Sequence, residues 1–145
     1  MILLGDMFTY GLDPLECADL AFDAMEKDGA VLIGGNHDQL YIDMERGQRD
    51  YFNRLPDWIR ESVEWTWDQL GEQWPGSLPC VPEWRTGDLL MAHANPFGYG
   101  DWTYLSNDGN LNRAANVCEA QGVRFGVFGH LHRAVNHASP AAEIH

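Results

Sequence analysis

Apolar runs and turn residues alternate along this chain in a way that predicts strands and helices in turn. Residues 1–4 form an apolar run ending at Gly5-Asp6, which reads as a buried strand. Asp13-Pro14 then supplies an N-cap and a first-turn proline, and Leu15, Ala18, Phe22 and Met25 fall three and four apart, predicting a helix closed by Gly29. A second apolar run, residues 30–33, leads straight into the turn Gly34-Gly35-Asn36-His37-Asp38. Residues 40–74 carry a mostly helical pattern broken near Pro56, with Ile59, Val63, Trp67 and Leu70 lining one face of the second piece. Prolines and a glycine make 75–82 a loop. A third strand at 88–92 delivers His93, and a Gly-, Asn- and Asp-rich loop covers 95–110. Leu111, Ala115 and Cys118 mark a last helix ended by Gly122, and a fourth buried strand at 123–128 opens onto Gly129-His130-Leu131-His132.

Strands alternating with helices predict an α/β layered fold, with parallel pairing wherever a helix intervenes. At 145 residues the chain has the length of a single domain with a sizeable core. Its 22 acidic against 9 basic residues give a net charge of −13. Such a charge repels phosphate backbones and anionic headgroups, which argues against nucleic-acid and membrane partners. No segment has the length of apolar sequence needed to span a bilayer, so a soluble, cytoplasmic protein is expected. Cys17, Cys80 and Cys118 are odd in number and contain no C-x-x-C pair, so neither a disulfide framework nor a thiolate zinc site is indicated.

Chemistry enters through the residues at the strand ends. Asp6, Asn36, His93, His130 and His132 combine carboxylate, amide and imidazole donors, a mixture that suits a borderline divalent metal such as Zn, Mn or Fe better than Ca. Ligands at strand ends would lie along one rim of a sheet, where open α/β sheets place their ligands. Taken singly, Gly5-Asp6 is a turn signal, Asn36 a turn residue and His93 a buried histidine. His130 and His132 have less packing logic, and the ordered set is far more specific than its members.

In that order, Gly5-Asp6, Gly35-Asn36-His37-Asp38, His93 and Gly129-His130-Leu131-His132 resemble the blocks G-D, G-N-H-[DE], H and G-H-x-H of the calcineurin-like metallophosphoesterase superfamily. The text from Gly5 to Pro14 looks most like its small bacterial and archaeal phosphodiesterase-type members. The resemblance implies a sandwich of two sheets flanked by helices and a hydrolase acting on a phosphodiester or phosphomonoester, a small substrate. It also implies two divalent ions, drawn from Mn, Zn, Fe and Ni. Asp6 would bridge both ions, Asn36, His93 and His130 would complete one site, and His132 would serve the other. His37 would bind no metal and would act at the leaving-group oxygen as general acid or electrostatic clamp.

Departures from the family pattern carry expectations of their own. The D-x-H block of the superfamily's first strand is absent, and relatives continue past G-H-x-H with further strands. The chain is therefore expected to be a fragment lacking the first and the last strands. A catalytically inactive scaffold and a simple metal-binding module are the alternatives to an active esterase. Protein serine/threonine phosphatases of the superfamily carry an acid and an arginine where Thr9 and Tyr10 stand, which disfavours phosphoprotein substrates. In those enzymes the acid orients the catalytic histidine; here the adjacent Asp38 is the candidate for that role, or else a helix N-terminal cap.

Overall fold

A computed structural model describes residues 1–71 and 78–138. Residues 72–77, which hold the end of the predicted helical stretch and part of the predicted loop, lie outside the described residues. The chain divides into two compact units, Met1–Val81 and Pro82–His145.

In the first unit the strands β1 (Ile2–Leu3), β2 (Val31–Ile33) and β3 (Cys80–Val81) pair in that order and all parallel. Parallel neighbours require crossovers, and helices supply them. Helix α1 (Pro14–Asp28) connects β1 to β2, with Pro14 at its first position and Gly29 beyond its end at φ 63°, where a side chain would be strained. Asp13 precedes the helix but makes no side-chain capping bond, so of the two start signals only Pro14 acts, by its fixed φ and its missing N–H. Helix α2 (Asn36–Glu45), a short 3-10 turn at Phe52–Arg54 and helix α3 (Asp57–Leu70) follow β2. Leu32, Leu40, Tyr41, Val63 and Leu70 are buried together, with Ile59 and Trp67 packed against them, so the predicted apolar face of α3 is the one that meets the core.

The second unit holds β4 (Glu83–Thr86), β5 (Leu89–Ala92) and β6 (Phe125–Phe128), with helix α4 (Asp108–Ala120) between β5 and β6. β4 and β5 are antiparallel, β5 and β6 parallel. Asn107 caps α4, its side-chain oxygen accepting from the Asn110 N–H at 3.0 Å. Leu90, Cys118 and Val123 form the core, with Phe128 packed on it.

Sequence reading departs from this fold in three places. β3 and β4 lie in or beside the stretch taken as loop, because two residues between prolines and the largely polar Glu83-Trp84-Arg85-Thr86 carry no apolar run. Asn36, His37 and Asp38 form the first turn of α2 instead of a free turn. β6, expected to be buried, leaves Phe125 54% exposed, as an edge strand does among the described residues.

Candidate functional site

The first unit builds its chemistry where β1 and β2 end. Gly34 and Gly35 carry the chain from β2 into α2, so the helix presents its N-terminal amides to the loop after β1. The Asp6 carboxylate accepts from the His37 N–H at 2.9 Å, at the positive end of the α2 dipole. In return, the Asp38 carboxylate accepts from the Asp6 N–H at 2.8 Å and the Met7 N–H at 2.9 Å. It also accepts from the Gly35 N–H at 2.8 Å, the acidic half of a capping box. The first three of these bonds lock the loop to the helix, and the fourth closes the helix's own first turn. Burial pushes the Asp38 carboxyl up from its ordinary value, while the amides of Gly35 and Met7 pull it down.

Asn36 is buried at the first position of α2, and its Nδ2 donates to the Tyr51 hydroxyl at 3.1 Å. That bond fixes the amide and assigns Oδ1 to the opposite side. His37 is also buried, and both ring nitrogens meet hydroxyls: Nδ1 lies 3.0 Å from Thr9 Oγ1 and Nε2 lies 3.0 Å from the Tyr10 hydroxyl. Thr9 Oγ1 continues to the Tyr41 hydroxyl at 2.9 Å. The expectation that Asp38 orients His37 is thereby corrected. The Asp38 oxygens accept from three backbone amides, and its alternative reading as a helix N-terminal group is the one the geometry supports.

The second unit contributes three histidines after its strand ends. His93 follows β5, and His130 and His132 follow β6, with His130 and His132 both in the left-handed region at φ 62° and 54°. His93 and His130 are 3% and 8% exposed, and their Nε2 and Nδ1 atoms stand 3.2 Å apart. His130 Nε2 lies 3.0 Å from the Trp102 carbonyl, so that nitrogen carries the proton and Nδ1 presents a lone pair. Tyr104 stacks on His130 with ring centroids 4.1 Å apart. A backbone carbonyl on one nitrogen and a stacked ring are the kind of outer support that orients a metal-binding imidazole. His132 is exposed.

The donor chemistry of each unit fits a divalent cation. Asp6 and Asn36 offer oxygens in the first, and His93 and His130 offer paired buried nitrogens in the second. Sequence reading missed Thr9, Tyr10, Tyr41 and Tyr51 as supports, since hydroxyls reached across 15 to 32 residues leave no motif. Trp102 packs against His93 and Tyr104 against His130.

A family model described as calcineurin-like phosphoesterase matches residues 1–134. An uncharacterized protein of Methanocaldococcus jannaschii is 30% identical over 110 residues, covering 72% of this chain. The chain spans 42% of that relative's length. No solved structure gives a significant match. Among the described residues no helix is long and apolar enough to cross a membrane.

Proposed function

The chain belongs to the calcineurin-like phosphoesterase family, and from that premise we propose that it hydrolyses a small phosphoester, a phosphodiester or a phosphomonoester, with two divalent metal ions. The residues that would hold the ions are Asp6, Asn36, His93, His130 and His132. When bound, such ions polarise the phosphate oxygens and lower the pKa of a water nucleophile.

This chain's own residues supply the rest. The Tyr51 hydroxyl turns the Asn36 amide, and the Trp102 carbonyl holds His130 in the tautomer whose Nδ1 can ligate. The His37 N–H bond to Asp6 orients that carboxylate. His37, with Nε2 toward the half-exposed Tyr10, is placed to hold or give a proton at a leaving-group oxygen. Phosphoryl transfer asks for positioning and charge more than covalent help, and these groups supply positioning.

The observation that carries the reading is the buried His93–His130 nitrogen pair with its outer nitrogen already committed to a carbonyl. Purified chain assayed on bis(p-nitrophenyl) phosphate and p-nitrophenyl phosphate with Mn or Zn tests it. Metal-dependent release of nitrophenol that stops on chelation is expected. Stoichiometric metal without turnover would leave a metal-binding scaffold, and no bound metal would end the reading.

A further inference from the structure

The hydroxyls around His37 form a series with a direction. Tyr41 is wholly buried and stacks on Trp67 with its ring edge-on to Phe8, so its phenol is remote from water. Burial pushes its pKa up to about 12, against the opposing pull of the Thr9 and Thr66 hydroxyls, which keeps it a proton donor at neutral pH. A phenol is a stronger donor than an aliphatic hydroxyl, and Thr9 Oγ1 stands 2.9 Å from it. If Tyr41 donates to Thr9, the single Thr9 proton goes onward to His37 Nδ1 at 3.0 Å. The ring proton of a neutral His37 then sits on Nε2, donating to the Tyr10 oxygen. Tyr10, 51% exposed, can turn its own proton to solvent. The opposite sense would pass the Tyr41 proton inward to the buried Thr66 hydroxyl and put the His37 ring proton on Nδ1.

A second observation marks Thr9 as a built position. It is a β-branched residue at φ 95°, a strained backbone conformation that survives only where its surroundings enforce it. Those surroundings are on the page: Thr9 is 1% exposed, its hydroxyl lies between His37 and Tyr41, and its carbonyl accepts from the Ser62 hydroxyl of α3. Strained backbone held in place at a histidine is a device for aiming that histidine.

We propose that Tyr41 and Thr9 act in series as positioning residues that hold His37 in the Nε2–H tautomer, presenting its proton at the ring edge now covered by Tyr10, a task a carboxylate partner would otherwise perform. Used in catalysis, this rests on the phosphoesterase reading: the leaving-group oxygen would take the place of the Tyr10 hydroxyl and accept a hydrogen bond from Nε2–H, the proton staying on the nitrogen and His37 serving as the electrostatic clamp.

Long-range proton–nitrogen correlation spectra of the full, 15N-labelled, zinc-loaded chain read the tautomer directly, with His37→Ala assigning the signals. Wild type should show His37 as Nε2–H. Tyr41→Phe, which keeps the ring in the core, and Thr9→Val, which keeps the β-branched shape, should each shift population toward Nδ1–H. Zinc content should stay unchanged, and kcat on bis(p-nitrophenyl) phosphate should fall about tenfold with KM held within twofold. Thr9→Ser should restore both tautomer and kcat. A wild-type Nδ1–H signal, or an unmoved tautomer in Tyr41→Phe, overturns the proposal. Because the spectra need no substrate, an Nε2–H signal in a wild type without turnover would uphold the positioning and remove only the phosphoesterase reading.

Discussion

Individual side chains divide here by what their second contact does. Asp6 accepts from the His37 N–H with one oxygen, Asn36 gives its amide hydrogen to Tyr51, and His130 gives its ring hydrogen to Trp102, so these three candidate ligands are each aimed by a bond of their own. Replacing Asp6 by Asn should lower bound Mn or Zn, measured by elemental analysis of dialysed protein, because one charged donor is lost. His37→Ala should retain metal and lower turnover by roughly 10²- to 10⁴-fold, the usual worth of a general acid. Loss of metal in the His37 variant would reverse that assignment. Each of these residues was legible in the sequence, since ordered blocks of glycine, Asp, Asn and His carry information even when each block is weak. Their supports were not. Thr9, Tyr10 and Tyr41 meet His37 or one another through contacts 27 to 32 residues apart, and a hydroxyl's role is decided only by what folding brings beside it.

Among the elements, the junction of the β1–α1 loop with the first turn of α2 is held by polar bonds in both directions. Asp38 is wholly buried and satisfies three backbone amides. Asp38→Ala strands those amides, and unfolding in urea should show a loss of about 2–4 kcal/mol, since a buried donor left unpaired forfeits its full desolvation. A loss below about 1 kcal/mol would mean that water replaces the carboxylate. The loop after His93 is tied by a weaker acidic group. Asp101 accepts from the Thr103 N–H at 2.9 Å and from Asn95 Nδ2 at 3.2 Å, and the Thr103 hydroxyl and amide hold its carboxyl below its ordinary value. A depressed value in the folded state stabilises the loop above the ordinary carboxylate range and is lost as pH falls through the depressed value. The Thr103 amide resonance should therefore titrate with a midpoint below the ordinary aspartate value. Helices α1, α3 and α4 were legible because their apolar positions recur at helical spacing, whereas β3 and β4 are short or polar and declare themselves only through pairing.

For the molecule as a whole, the two compact units hold different halves of the donor set, oxygens in Met1–Val81 and imidazoles from Pro82 onward. Sequence order alone implied strands alternating with helices, and the two three-stranded sheets bear out an α/β architecture of the family type. Pairing direction followed from the crossovers: β1, β2 and β3 are parallel because helices separate them, while β4 and β5, joined by a tight turn, are antiparallel. A cation that binds only the folded state stabilises it by mass action, by about 2.7 kcal/mol at a hundredfold excess over its dissociation constant, and so raises the melting temperature. Differential scanning calorimetry with and without Zn should show this shift, and Asp6→Asn should blunt it. The mutual grip of Asp6 and Asp38 gives that experiment a wider meaning. Since the carboxylate expected to hold an ion also anchors the opening turn of α2, loading and unloading should register in the amide hydrogen-exchange rates of that helix, far beyond the ligands themselves, making slow exchange a ruler for occupancy.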